Sequence, residues 1–126
     1  MGRIVLTYDP YWPMLDIDIV QGNFRGHGVV YFTINEVSEF MTSLKAYPLE
    51  RAMLSLKSPG LLNISVFPTD GVGHLAVRIE VAEDADAVEF ARIQLRTDYS
   101  GLSRFHNQLT LMAEGDLNEI VLEEKG

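Results

Sequence analysis

Asp16 and Asp18 stand two residues apart in the run Leu15-Asp16-Ile17-Asp18-Ile19. On an extended strand that spacing puts both carboxylates on one face, roughly 7 Å apart along the chain. Two carboxylates so placed suit general acid–base work or the hard-oxygen coordination of a cation. The same alternation is what the polar face of any half-buried strand looks like. A histidine would complete either chemistry, and His27, His74 and His106 fall in three separate segments. None has the i, i+4 helical spacing of a ligand pair, there is no His-Glu-x-x-His, and the chain contains no cysteine. The sequence therefore predicts no catalytic metal centre, no thiol chemistry and no cofactor.

The glycine-bearing stretches Gly26-His27-Gly28 and Asp70-Gly71-Val72-Gly73 lack the lysine of a phosphate loop and open no predicted helix. They are expected to be a bulge and a hairpin loop. No Gly-x-Ser-x-Gly elbow exists, and no serine has a base near it in sequence. No positive feature argues for an enzyme.

Acid is the most unevenly distributed chemistry. Glu80, Glu83, Asp84, Asp86 and Glu89 fall in one stretch without Lys or Arg, and Glu114, Asp116, Glu119, Glu123 and Glu124 crowd the C-terminus, opposed by Lys125. Like charges held close repel, and a segment that keeps them is either a solvated loop or a docking surface for a basic partner. Glu80 to Glu89, with Asp16 and Asp18, are the candidate partner-binding residues. Tyr11 and Trp12 lie in a Pro-flanked loop, Tyr47 precedes Pro48 and Tyr99 sits just before the second helix, positions where aromatics serve as interface anchors or as plugs beneath loops. Trp12 is expected to be a plug.

These residues need a frame. Ile4-Leu6-Tyr8, Leu15-Ile17-Ile19 and the run from Arg25 to Phe32 alternate as strands, with Asp9-Pro10 and Trp12-Pro13 breaking the first two apart. Thr33 and Glu36 form a capping box, and Ile34, Val37, Met41 and Leu44 follow at helical spacing, so a helix is expected from Ile34 to Ala46, stopping before Pro48. A meander follows: Ala52–Lys57, a type II turn at Ser58-Pro59-Gly60, Leu62–Phe67, a loop, and Leu75–Val81. Ala85 to Thr97 fits either a helix through Val88, Ala91 and Leu95 or a strand bulged near Ala91 and Arg92, and the strand continues the meander. Asp98 or Ser100 caps a second helix carrying Leu102, Phe105, Leu109 and Met112, which Gly115 ends. Ile120 and Leu122 allow one last short strand. The order predicts one α+β domain, residues 1–126, with a mainly antiparallel sheet of about seven strands and two amphipathic helices packed on it.

Composition agrees. The chain has 126 residues, 47% hydrophobic and 22% charged, enough to bury roughly two-thirds of its unfolded surface without a staple. No apolar run approaches the roughly 20 residues of a membrane span, and no secretory signal precedes Tyr8. The net charge of −8 runs against nucleic acid and anionic membranes, and favours a basic protein or a cation.

The stretch Phe24-Arg25-Gly26-His27-Gly28, the helix Asn35-Glu36-Val37-Ser38-Glu39-Phe40 with Leu44, the meander, and Leu102-Ser103-Arg104-Phe105 with Leu109 resemble the WapI-like immunity proteins of bacteria. The resemblance covers roughly residues 24–112 and carries no catalytic signature. It implies a small cytoplasmic antitoxin that binds and neutralises the toxic domain of a polymorphic toxin and so protects the producer and its kin in bacterial competition. Many such toxins are nucleases with basic clefts, which an acidic protector need only cover. The family transfers no binding residues, because each immunity protein suits its own toxin. The alternative is a small-molecule-binding protein or small hydrolase using Asp16, Asp18 and a histidine.

Overall fold

Alternation decides which side of each strand turns inward. In the computed structural model, which describes residues 2–32, 34–86 and 89–124, Ile4 and Leu6 of β1 (Gly2–Asp9) and Leu15, Ile17 and Ile19 of β2 (Met14–Gln21) all point into one core. β3 (Phe24–Tyr31) pairs with β2, and β8 (Glu119–Glu123) pairs with β1, giving a first antiparallel sheet in the order β3-β2-β1-β8. The meander forms the second, in the order β4-β5-β6-β7, from β4 (Ala52–Lys57), β5 (Leu61–Pro68), β6 (His74–Ala82) and β7 (Ala91–Asp98). The α+β class, the antiparallel pairing and the two helices are as expected. The eight strands divide between two sheets instead of extending one, because the chain leaves the first sheet through α1 (Ile34–Leu44) and returns to it through α2 (Tyr99–Ala113).

Both sheets and both helices share one apolar core. Val37, Phe40 and Leu44 of α1 meet Leu102, Phe105, Leu109 and Met112 of α2, with the Phe40 and Phe105 rings edge-on at 6.4 Å. α2 touches β7 of one sheet and β8 of the other, and α1 leans on β4. Asp98 caps α2, accepting from Gly101 N–H at 2.8 Å. Such a cap contributes about 1 kcal/mol. Gly115 follows the helix at φ +84°, as its role as a stop requires.

Several local expectations change. Residues 91–98 are strand, in unbroken register with β6 from His74 opposite Asp98 to Val81 opposite Ala91, so no bulge is present at Ala91 and Arg92. Val88, Thr33 of the capping box and Lys125 lie outside the described residues. The turn at Ser58-Pro59-Gly60 is not type II: Ser58 has φ 81° and the Ser58–Pro59 peptide is cis. Gly26 and Gly28 mark no bulge either, since β2 and β3 pair without interruption. They are glycines because the second sheet comes very close. A Cβ on Gly26 would lie 2.4 Å from the Ala91 Cβ, and one on Gly28 would lie 2.7 Å from the Ala82 carbonyl oxygen.

The same closeness reappears at the turn between β4 and β5. A Cβ on Gly60 would meet Ala82 O at 2.6 Å and Val29 O at 2.8 Å. Gly60 N–H donates to Val29 O at 2.8 Å and Tyr31 N–H to Ser58 O at 3.0 Å, so the edge of β3 is tied to that turn. Gly28→Ala should therefore destabilise the protein by about 1–3 kcal/mol, because the added methyl meets backbone that cannot step aside. Gly71→Ala, which meets nothing within 4 Å, should change stability little. Urea unfolding of both variants checks the contrast.

Candidate functional site: an acidic face built on β2, β3 and β8

The inward alternation of the first sheet dictates its outer face. Asp16, Asp18 and Val20 point out from β2, and Arg25, His27 and Val29 from β3. Asp18 sits opposite His27 and Asp16 opposite Val29. Across β1, Thr7 lies between Asp16 and Glu119, and Val5 lies between Asp18 and Val121. Arg3 pairs with Glu123 at the end of the same face. One solvent-facing surface thus interleaves Asp16, Asp18, Glu119 and Glu123 with half-buried Val5, Val20 and Val29 and exposed Val121. Two of the C-terminal acids belong with the Asp16/Asp18 pair, which the sequence could not show without the register.

His27 organises the centre. Its Nε2–H donates to Asp16 Oδ1 at 3.0 Å, and its Nδ1 lies 3.8 Å from Glu83 Oε1. The hydrogen bond to Asp16 holds the imidazole pKa above the ordinary histidine value; burial opposes this, and the negative charges of Asp16, Asp18 and Glu83 reinforce it. Glu83 is brought there by backbone. Ala85 N–H donates to Pro59 O at 3.0 Å, which fixes the start of the acidic loop against the same turn that holds β3. Asp18, His27 and Glu83, with Arg3 and Arg25, line an open depression of about 630 Å³.

The acidic stretch is not one unit. Asp84, Asp86 and Glu89 are exposed in the β6–β7 connection, and Glu89 borders the cleft that holds Arg25 and His27. Glu80 lies apart, on the outer face of the second sheet, where the register sets Arg92 opposite it and Arg92 Nη2 donates to its Oε2 at 2.9 Å. Glu80 thus does have a cation close by, contributed by the neighbouring strand. Glu124 likewise pairs with Arg96 at 3.4 Å. Trp12 is no plug: it is 63% exposed in the β1–β2 loop, with Tyr11 edge-on at 4.9 Å. The loop is too short to fold back over the ring.

One carboxylate oxygen each of Asp16 and Asp18 and a ring nitrogen of His27 lie within 4.8 Å of one another, and among the described residues no other three such groups do. They could hold a divalent cation, but Asp18 is exposed, Asp16 and His27 are only half-buried, and His27 already bonds Asp16. Sequence reasoning missed a second pair, His74 Nδ1 hydrogen-bonded to Asp70 Oδ2. Asp70 also accepts from the N–H groups of Val72 and His74, and these bonds, that from His74 foremost, hold its pKa below the usual carboxylate range. The signal was present, since a hairpin loop brings its two ends together. No helix among the described residues is long and apolar enough to cross a membrane.

No protein-family model matches this chain, and neither a curated protein nor a solved structure matches it.

His27 yields a pH prediction. Its pKa is raised in the folded state, so its stabilisation is fully present below the unfolded value and is lost as pH rises through the folded one. The ring C–H resonances should titrate above an ordinary histidine, and Asp16→Asn should move the midpoint back down. An unchanged midpoint in that variant would remove Asp16 as the cause.

Proposed function

We propose that this protein is a non-catalytic immunity protein of the WapI-like kind, acting in the cytoplasm, whose acidic face covers a basic surface of a cognate toxin domain such as a nuclease. The observation that carries the reading is the composition of the outer face of the first sheet. Half-buried Val5, Val20 and Val29 and exposed Val121 interleave with Asp16 and Asp18 across it, Arg3 and Arg25 share it, and Glu119, Glu123 and Glu83 stand at its edges. Apolar contact area edged by charge is the anatomy of protein–protein interfaces. Tyr31, 51% exposed at the end of β3, supplies an aromatic of the kind that anchors such contacts.

The rim acts mainly on encounter. Opposite potentials draw a basic partner in, and rim charges change association rate and salt dependence more than dissociation. Screening at about 0.15 M salt limits each exposed charge to roughly 8 Å, so only a partner whose cations follow this outline gains from it. The acids need no proton-transfer role for this function.

The second reading, a small-molecule binder or hydrolase using Asp16, Asp18 and His27, draws support from the closeness of these three groups and from the depression that Asp18 and His27 line. It separates from the first by cation binding. Calorimetry with Mn²⁺ or Zn²⁺ should show no tight stoichiometric site; tight binding abolished by Asp18→Asn would move the account to the second reading.

The main test uses the toxin domain encoded beside this chain's gene. Glu83, Asp84 and Asp86 reversed together to Lys should slow association about tenfold or more at low salt and flatten its salt dependence. Folding stability should change by under about 1 kcal/mol per charge, as solvated charges do. Rate constants and salt dependence left as in the wild type would exclude the loop from the contact.

A further inference from the structure

The outer face of the second sheet has the opposite sign. Although the chain carries −8 overall, that face gathers Arg51, Lys57, Arg78, Arg92 and Arg96. Glu80 neutralises Arg92 and Glu124 lies against Arg96. Arg51, Lys57 and Arg78 have no carboxylate within ion-pair distance among the described residues.

Two of these cations are held in place. Phe67 projects from β5, between β4 and β6. The Arg51 guanidinium lies 5.0 Å from its ring centroid and that of Arg78 lies 5.1 Å from it. Arg78 is further pinned by the Gln94 Oε1, which accepts from its Nε at 3.2 Å and from its Nη2 at 3.1 Å. Stacking a guanidinium on a ring removes its rotamer freedom but leaves N–H edges open, so a bound anion loses less entropy in fixing it. Two like charges gathered around one ring repel each other until an anion arrives between them.

We propose that this face is a second docking surface, and that its occupant is an acidic polypeptide segment whose carboxylates bind Arg51 and Arg78 across Phe67. Arg51 immediately precedes β4 and Arg78 stands on β6, two strand spacings away or about 10 Å, and an extended acidic segment presents a carboxylate about every 7 Å on one side, within reach of both. Guanidinium forks take carboxylates in bidentate pairs. A polypeptide fits better than a nucleic acid because the cationic area is confined to one sheet face of a strongly acidic protein, whereas a nucleic acid brings a long array of phosphates toward the remaining negative charge. This surface shares no residue with the acidic face, so the two proposals stand or fall separately.

The test is fluorescence anisotropy on the full chain with a labelled oligo-glutamate peptide, and in parallel with a labelled oligothymidylate of matched charge. Wild-type protein should bind the peptide at low salt and prefer it to the oligothymidylate. Replacing both arginines (Arg51→Gln with Arg78→Gln) should weaken peptide binding about tenfold or more, the loss expected for charge-assisted hydrogen bonds. Phe67→Leu keeps both charges yet frees them, and should weaken binding by a smaller factor. Lys45→Gln with Arg104→Gln, just after α1 and on α2, should leave it unchanged. Thermal unfolding verifies that each variant is folded, and Arg78→Lys, which keeps the charge but loses the fork, serves as the gentler variant. The proposal is overturned if wild-type protein does not bind the peptide, if the folded variants of Arg51 and Arg78 bind it as well as wild type, or if the oligothymidylate binds more tightly.

Discussion

The close approach of β3 to the second sheet is the constraint on which the rest of the molecule depends. Backbone meets backbone at Gly28 and Gly60 against Ala82 and Val29, where no side chain fits. Hydrogen bonds from Gly60 to Val29 and from Tyr31 to Ser58 then join the two sheets at this seam. The opposite side is closed by α2, which reaches from β7 to β8, and by α1 against β4. A sheet pair pinned on one side and wedged by helices on the other encloses a single core, and leaves each sheet with one outer face in solvent.

That seam also builds the candidate site. The turn at residues 58–60 holds β3 on one side and, through Pro59 O, the backbone of Ala85 on the other. His27 stands on the strand and Glu83 on the loop, so the same few backbone contacts bring them to 3.8 Å. An imidazole between Asp16 and Glu83 reduces the repulsion that three neighbouring carboxylates would otherwise suffer. The acidic face is therefore a consequence of how two sheets are joined, and its charge sensitivity to pH rests on one histidine.

Legibility in the sequence followed the range of the interactions. Period-two runs such as Leu75–Val81 and the helical stripe from Leu102 to Met112 are local patterns, and strands and helices stand where those patterns put them. Asp98 as cap and Gly115 as stop were readable for the same reason. Gly26 and Gly28 looked like a bulge because a sequence does not show which backbone will pass within van der Waals contact of a residue far along the chain. The division into two sheets, the partnership of Arg92 with Glu80, and the gathering of Asp16, Asp18, Glu119 and Glu123 all depend on strand register. Charge counted along the chain placed Glu80 with its sequence neighbours, whereas charge counted across strands separates it from them. Trp12 stays in solvent because its loop holds only the residues needed to turn between β1 and β2, a length that the Pro-flanked pattern does not reveal.

The central claim is that function resides on the outer face of the first sheet. It is tested most directly by a backbone-amide NMR footprint, on the isotopically labelled protein, of the toxin domain proposed as its partner. The account predicts perturbations concentrated at Asp16, Asp18, His27, Val29 and Glu119, fading toward the helices. A footprint centred on α1 and α2, with those strand residues unperturbed, would contradict it.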